Sequence, residues 1–182
     1  MIKKSDIPNY LTYSRIVAIP LIIVLALWGN ENLRWLALVL FALAAITDFF
    51  DGYLARKWGT TSPIGQMLDP IADKLLVGAL LIAFAYDGTF SSIDLIPAIA
   101  IMMREIFISG LREFMGNKKI VLKVSMLAKY KTTVQLVALG LLFAEPMIPA
   151  ITLLSDILLW LAAILTLITG WQYWQGAQEK ME

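Results

Sequence analysis

The sequence predicts an all-α integral membrane protein: a six-transmembrane-helix bundle with a short interfacial segment at its N-terminus. Hydrophobic residues make up 59% of the 182-residue chain and charged residues only 16%, whereas soluble domains are close to half apolar and a quarter charged. Six apolar stretches each provide roughly the 20 residues that a bilayer requires. The predicted spans cover about residues 10–29, 34–56, 63–86, 92–114, 124–144 and 149–173.

The order of these spans predicts one domain over residues 1–182, because no repeat, linker or low-complexity stretch interrupts them. Most basic residues flank one side of the predicted bundle, and only Arg34 falls clearly on the other. By the positive-inside rule, both termini face the cytoplasm. The residues on the basic side are Lys3, Lys4, Arg56, Lys57, Arg112, Lys118, Lys119, Lys123, Lys129, Lys131 and Lys180.

The first predicted span begins with a polar strip. Pro8 introduces the helix, and Asn9, Thr12 and Arg15 follow at three-residue spacing, so they share one helix face. Two interpretations of this face remain open. It is either a capping and snorkelling cluster at the membrane surface, or a strip that turns inward towards acidic residues of the next two spans.

Four aspartates lie in the second and third spans: Asp48 and Asp51 near the end of one, Asp69 and Asp73 near the start of the next. An ionised carboxylate at membrane depth costs at least ~2.5 kcal/mol. Residues three or four apart project from one helix face, so adjacent antiparallel helices bring the four groups together. Divalent cations relieve the repulsion between them.

The composition restricts the chemistry of this site. The chain contains no cysteine and no histidine, which excludes disulfides, thiolate nucleophiles and zinc–sulfur sites. Any proton acceptor is therefore a carboxylate, a lysine or a tyrosine, and any metal has oxygen ligands, which favours Mg²⁺, Mn²⁺ or Ca²⁺.

Small residues and an arginine accompany the aspartates. Gly52 and Gly65 leave room for a ligand to approach the backbone, and Arg56, one turn after Gly52, is suited to phosphate oxygens. Together with metal ions, these residues indicate a pyrophosphate site. A helix start at Pro63, with Ser62 as its N-cap, opens the third span. Gly110, Gly140 and Gly170 are expected to serve close helix packing instead.

These residues resemble the signature of the CDP-alcohol phosphotransferase family, D-x-x-D-G-x-x-A-R-x8-G-x-x-x-D-x-x-x-D. All eight fixed positions match, and the N-terminal strip P-N-x-x-T-x-x-R at residues 8–15 is also similar. The matching residues are Asp48, Asp51, Gly52, Ala55, Arg56, Gly65, Asp69 and Asp73.

The resemblance implies a role for each matching residue. Asp48, Asp51 and Asp69 are expected to hold two divalent ions, Mg²⁺ or Mn²⁺, with help from Asp73. Asp73 is also expected to be the catalytic group that activates the acceptor hydroxyl. Ser62 stands where relatives often carry threonine and keeps the hydroxyl. The implied nucleotide pocket comprises Asn9, Thr12, Gly52, Ala55, Arg56, Ser62 and Gly65.

Chain length and the polar residues of the fourth and fifth spans resemble bacterial family members that use glycerol 3-phosphate. The implied reaction joins CDP-diacylglycerol to glycerol 3-phosphate and releases CMP. The resemblance further implies a homodimer among membrane lipids of the bacterial inner (cytoplasmic) membrane, and no nucleic-acid partner is expected.

A phosphorylated acceptor needs a cationic pocket, for which Arg104, Arg112, Lys129 and Lys131 are the candidates. Arg104 and Arg112 are eight residues apart and share a helix face, and an arginine as deep as Arg104 is usually functional. The alternatives are that Arg104 pairs with an aspartate of the cluster or with Glu105, and that Arg112 and Lys131 snorkel to the interface.

Three other interpretations of the whole chain remain. The same chemistry with phosphatidylglycerol, serine or an inositol phosphate as acceptor would leave the motif unchanged. An ion or proton transporter would place acidic residues along a path across the bilayer, whereas here they cluster at one end. A membrane scaffold would leave the motif unexplained.

Overall fold

The computed structural model describes the backbone of residues 7–28, 30–58, 63–122 and 124–181, and the side chains of residues 12–28, 30–47, 64–65, 67–122 and 124–181. Over this part of the chain the protein is all-α, with six α-helices, one 3-10 turn and no β-strand. The predicted all-α class with six helices is therefore confirmed. The helices are α1 (Ile7–Trp28), α2 (Glu31–Trp58), α3 (Pro63–Tyr86), α4 (Leu95–Asn117), α5 (Met126–Ala144) and α6 (Thr152–Gln178).

The helix ends follow local chemistry. α3 begins at Pro63, as predicted, and continues through Pro70. α4 begins three residues later than its predicted span, because the backbone N–H and the hydroxyl of Ser91 donate to Asp94 Oδ2 at 2.9 and 2.5 Å and close a turn before the helix. The predicted interfacial segment is helical from Ile7 onward, and the residues before Ile7 lie outside the described chain.

The first of two compact units is Met1–Asp87. Within it, α1 packs against both α2 and α3. Buried apolar residues recur every three or four positions, which gives each helix one face for packing. On α1 these residues are Ile19, Ile22 and Ala26, on α2 they are Ala37, Phe41 and Ala44, and on α3 they are Leu76, Leu80, Ala83 and Phe84.

An ion pair fixes one end of this unit. Arg34 Nη1, in the first turn of α2, lies 2.6 Å from Oδ2 of Asp87, directly after the end of α3. Both side chains are largely buried, with 11% and 13% of their surfaces exposed. Residues 59–62 connect the same two helices at their other ends, so α2 and α3 run antiparallel.

The second unit is Gly88–Glu182, in which α6 packs against both α4 and α5. Its core at one end combines the last turns of α4 and α6 with the first turn of α5. The buried members of this core are Ile108, Leu111, Met115, Ala128, Tyr173 and Ala177, with Ile120, Leu122 and Trp174 packed against them.

One segment, Pro149–Gln178, is long and apolar enough to cross a membrane by length and composition, with a mean hydropathy of 2.3 in its most apolar window. It is the only such segment within the described residues, and Thr12–Trp28 is a shorter apolar helix. The other helices contain charged residues that lower their hydropathy, as Asp69 and Asp73 do in α3. The prediction of six membrane spans therefore stays a prediction.

Candidate active site

The N-terminal polar strip faces α3. Thr12, in the second turn of α1, donates from Oγ1 to Oδ1 of Asp69 at 2.6 Å. The threonine is almost completely buried, with 2% of its surface exposed. A buried hydroxyl is stable where it has a partner, and here that partner is one of the four aspartates singled out by the sequence.

A second contact joins the same two helices one turn further along. Arg15 Nη1 lies 3.6 Å from Asp73 Oδ1, a distance typical of a charge contact rather than a hydrogen bond. Only 1% of the arginine side chain is exposed, against 53% of the aspartate. Of the two interpretations left open for this strip, the inward one therefore holds for Thr12 and Arg15.

The ion pair between Arg34 and Asp87 is a common reference point from which the positions of the two aspartate pairs along α2 and α3 can be compared. Asp48 lies 14 residues after Arg34 on α2, and the third-span partner, Asp73, lies 14 residues before Asp87. With a rise of ~1.5 Å per residue, both positions are ~21 Å from the ion pair. The second aspartate of each pair lies about one turn further on. The backbone therefore brings both pairs to the same level of unit one.

The structure describes two of the four predicted metal ligands, Asp69 and Asp73. They are four residues apart and share one face of α3. Asp48 and Asp51 are in α2, but their side chains lie outside the described residues. Among the side chains that are described, no group of three acidic residues is close enough to hold a metal ion. The four-carboxylate site consequently stays a prediction.

The predicted nucleotide pocket is described at two positions. Thr12 is placed beside Asp69, and Gly65 is buried on α3 one turn before the same aspartate. The side chains of the other predicted members fall outside the described part of the chain. These members are Asn9, Gly52, Ala55, Arg56 and Ser62.

The second unit contains a charged network on α4 and α5. Arg104 Nη1 donates to Glu105 Oε1 at 3.2 Å, and Lys131 Nζ donates to the same oxygen at 2.5 Å. The exposed side-chain fractions of Arg104, Glu105 and Lys131 are 10%, 15% and 5%. Lys131 also donates to Gln135 Oε1 at 3.2 Å. Two predicted acceptor-phosphate residues are thus adjacent, and the alternative pairing of Arg104 with Glu105 is observed.

The helix α6 makes room for Arg104. A Cβ atom at Gly170 would lie 3.1 Å from Cγ of Arg104, closer than side chains normally approach. Next to this glycine, Thr169 Oγ1 accepts a hydrogen bond from Arg104 Nη2 at 3.3 Å. The predicted packing role of Gly170 is correct, and the group packed there is the arginine side chain. For Gly110 the same prediction is wrong, because a Cβ atom at that position would meet no atom of another described helix within 4 Å. Arg104 Nε is buried without a hydrogen-bond partner among the described residues.

Of the other two predicted acceptor-phosphate residues, Arg112 contacts the network through an aromatic ring, and Lys129 lies apart from it. The guanidinium carbon of Arg112 lies 5.3 Å from the ring centre of Tyr173, and that of Arg104 lies 5.8 Å from the same ring. Arg112 is therefore connected to Arg104 through an aromatic side chain. Lys129 is exposed, and a separation of two residues, ~200° around the helix, places it on another face of α5 than Lys131. The structure does not bring Lys129 into the cluster.

Sequence reasoning missed three residues of this region as site residues: Glu105, Gln135 and Thr169. Glu105 was considered only as an alternative partner of Arg104. An acidic residue in the middle of a predicted span is as costly as a basic one, and that cost was the available signal. Nothing in the sequence indicated that Lys131, 26 residues away, contacts the same carboxylate.

Comparison with known proteins gives consistent similarities over almost the whole chain. Residues 5–168 match the model of the CDP-alcohol phosphatidyltransferase family. A Rickettsia bellii protein named CDP-diacylglycerol–glycerol-3-phosphate 3-phosphatidyltransferase is 46% identical over 178 residues, covering 96% of this chain and 97% of the relative. Proteins with the same name from Cereibacter sphaeroides (42% identical; 94% and 95% covered) and Haemophilus influenzae (40%; 96% and 95%) are also similar.

Proposed function

The chain belongs to the CDP-alcohol phosphatidyltransferase family, and we propose that it transfers the phosphatidyl group of CDP-diacylglycerol to sn-glycerol 3-phosphate. The products are phosphatidylglycerophosphate and CMP, which places the reaction in phospholipid biosynthesis. The names of its full-length relatives support this acceptor. The structural observation that carries the proposal is the pair of contacts by which α1 holds Asp69 and Asp73 on one face of α3.

The protein acts in the bacterial inner membrane, with six membrane-spanning helices and both termini in the cytoplasm. The basic residues on one side of the predicted spans support this orientation. An exposed apolar stripe along α6, suited to lipid contact, supports membrane insertion. The stripe consists of Leu153, Ile157, Leu161, Ile164, Ile168 and Trp171. The whole chain forms one catalytic domain, which acts as a homodimer.

Asp48, Asp51, Asp69 and Asp73 are the proposed ligands of two divalent ions, Mg²⁺ or Mn²⁺. The donor set fits such ions, because it contains only carboxylate oxygens and hard cations prefer oxygen. When bound, the ions neutralise charge on the pyrophosphate and on the departing CMP. Thr12 orients the Asp69 carboxylate through its hydrogen bond to Oδ1, and the other oxygen, Oδ2, is the proposed point of attachment for an ion.

Asp73 is the proposed proton acceptor. Its partial exposure gives the acceptor hydroxyl access, while Arg15 holds the carboxylate from the buried side. As the hydroxyl oxygen forms a bond to the β-phosphorus, its proton passes to Asp73. The bond from this phosphorus to the bridging oxygen breaks, and CMP leaves with the electron pair. No covalent intermediate with the protein is required.

The residues around the aspartates bind the nucleotide. Asn9, Thr12 and Ser62 supply hydrogen-bonding groups, and Arg56 pairs with phosphate oxygens. Gly52, Ala55 and Gly65 leave space next to the backbone.

Arg104 and Lys131 bind the acceptor phosphate. Both cations are largely buried and adjacent, and Arg104 Nε has no partner among the described residues. Guanidinium and ammonium groups are well suited to phosphate oxygens. Arg112 supports this site through Tyr173, and Lys129 contributes only to the basic character of the membrane surface.

The decisive experiment offers different acceptors to purified protein in detergent with Mg²⁺ and CDP-diacylglycerol, and follows CMP release. We expect release with glycerol 3-phosphate, loss after chelation of divalent ions, and recovery when Mg²⁺ is restored. Release with serine, an inositol phosphate or phosphatidylglycerol, and not with glycerol 3-phosphate, would replace the proposed acceptor. No CMP release with any acceptor would favour the transporter interpretation.

The substitution Asp73→Asn is expected to lower kcat by at least ~100-fold, because it removes the proton acceptor and keeps the side-chain shape. CMP release measures kcat, and gel filtration in detergent checks folding. Asp156→Asn, a matched change on α6 outside the candidate site, is the control and should stay within ~2-fold of wild type. Full activity of Asp73→Asn would contradict the assigned role.

A further inference from the structure

We propose that Glu105 is a positioning residue for the acceptor phosphate: its carboxylate holds Arg104 and Lys131 side by side before the acceptor binds. This inference rests on the proposed function, since it assigns those two cations to the phosphate of glycerol 3-phosphate. Its basis is that one oxygen, Glu105 Oε1, accepts from both of them, at 3.2 and 2.5 Å.

The shared oxygen resolves an electrostatic conflict. Arg104 and Lys131 are largely buried, so water screens their mutual repulsion poorly. With the carboxylate between them, each cation has an attractive partner. Without it, the flexible lysine stem would allow the ammonium to move away from the guanidinium. Glu105 thus keeps two like charges next to one carboxylate oxygen, so that a single phosphate group can contact both.

Each cation is also held by a neutral partner on its other side. Gln135 Oε1 accepts from Lys131 at 3.2 Å, and Thr169 Oγ1 accepts from Arg104 at 3.3 Å. These two acceptors restrict the orientation of the ammonium and guanidinium groups but do not neutralise their charge. Glu105 is the component of this network that both cations share, so its removal affects both at once.

The charge of the network suits an anion. The charges of Arg104, Lys131 and Glu105 add to +1, counted over these three side chains alone, and a phosphate monoester carries −1.5 to −2 near neutral pH. An anionic acceptor is therefore attracted, while an uncharged alcohol gains nothing from the site. The negative charge of Glu105 repels the incoming phosphate, so Glu105 helps binding only by holding the two cations in place. When Glu105 is replaced, the loss of this positioning is expected to weaken binding more than the loss of the repulsion strengthens it.

The test is Glu105→Gln, which keeps the shape of the side chain and removes its charge. We expect the KM for glycerol 3-phosphate to rise about tenfold, while the KM for CDP-diacylglycerol and kcat stay within about twofold, as for a lost binding interaction. The matched control is Glu113→Gln, an exposed glutamate on the same helix, which should leave all three constants unchanged. Equal changes in both KM values, or no change in either, would overturn the proposal.

A double-mutant cycle separates positioning from general structural support. Lys131→Met alone should raise the acceptor KM. Adding Glu105→Gln to it should raise that KM by clearly less than Glu105→Gln does in the wild-type background, because one of the two cations that Glu105 positions is gone and only Arg104 remains. If the two effects multiply in full, Glu105 acts independently of Lys131 and the inference fails.

Glu105→Asp covers the case in which Glu105→Gln does not fold. Its shorter carboxylate keeps the charge but shifts its position, so a selective rise in the acceptor KM supports positioning and an equal rise in both KM values contradicts it. Failure of the proposed function is recognised separately, because wild-type protein would then release no CMP with glycerol 3-phosphate. With an active wild type and an unaffected Glu105→Gln variant, only the inference on Glu105 is lost.

Discussion

Thr12 is a neutral residue that fixes the orientation of a charged one, Asp69. Its buried hydroxyl donates to Asp69 at 2.6 Å, so one carboxylate oxygen is committed and the rotation of the group is restricted. The proposed function makes Asp69 a metal ligand, and groups that orient a metal ligand typically change metal affinity by about 10–100-fold when they are removed. On this proposal, Thr12 influences catalysis through Asp69 without contacting the reacting atoms.

The substitution Thr12→Val tests this role, because it replaces the hydroxyl by a methyl group of similar size. We expect the Mg²⁺ concentration needed for half-maximal CMP release to rise by about tenfold. Thr12→Ser, which keeps the donor, is the matched control and should remain close to wild type. A wild-type Mg²⁺ requirement for Thr12→Val would show that the hydrogen bond does not orient a ligand.

For single residues, the sequence predicted which side chains share a helix face better than it predicted which side chains they contact. Aspartates at three- and four-residue spacing had to share a helix face, and Asp69 and Asp73 do so on α3. The inward direction of Thr12 was left open, since one helix face can turn towards solvent or protein. The common partner of Arg104 and Lys131 was not predictable, because contacts between α4 and α5 depend on how the two helices pack.

At the scale of elements, the end of α4 is closed by a Schellman motif. The N–H of Lys119 donates to Gly116 O at 2.8 Å, and the N–H of Ile120 donates to Met115 O at 2.9 Å. Ile120 packs against the core that contains Met115, as is common for this motif. Lys119 has a φ of +60°, a left-handed conformation that glycine adopts more easily.

We therefore expect Lys119→Gly to stabilise the second unit by about 1 kcal/mol. This gain corresponds to a rise of ~2–4 °C in Tm for a protein of this size. Thermal unfolding in detergent at a fixed scan rate measures the change. Lys118→Gly is the control, because Lys118 has a φ of −85° and gains no relief from glycine. A lower Tm for Lys119→Gly than for Lys118→Gly would contradict the assignment.

The helix ends show what hydropathy detects and what it misses. Pro63 begins α3 as predicted, because proline favours the first helical position. α6 continues to Gln178, five residues beyond its predicted span, although polar residues lower the hydropathy there. Tyr173 and Ala177 remain buried in that last part, so packing extends the helix past the apolar stretch.

At the scale of the whole molecule, the proposed orientation in the membrane has a direct chemical test. The chain contains no cysteine, so a single introduced thiol reports one position without background. Ser92 lies exposed in the turn between α3 and α4, and Gln178 is exposed at the end of α6. With both termini in the cytoplasm, these two positions face opposite sides of the bilayer.

We expect Ser92→Cys to react with a membrane-impermeant thiol reagent added to intact spheroplasts. Gln178→Cys should react only after the membrane is permeabilised. Retained CMP release establishes that each variant is folded, and mass spectrometry of the labelled protein measures the modification. Reaction of Gln178→Cys in intact spheroplasts would reverse the orientation, and labelling of both positions from outside would contradict six spans.

The ion pair between Arg34 and Asp87 has a consequence for changes in chain length. One residue inserted between Arg34 and Asp48 would rotate the following part of α2 by ~100° and displace it by ~1.5 Å, while α3 stays where Asp87 holds it. The backbone positions of Asp48 and Asp51 would then no longer lie at the level of Asp69 and Asp73, which would disrupt the proposed four-carboxylate site. In this stretch of α2, the number of residues matters more to the acidic site than which apolar residues fill it.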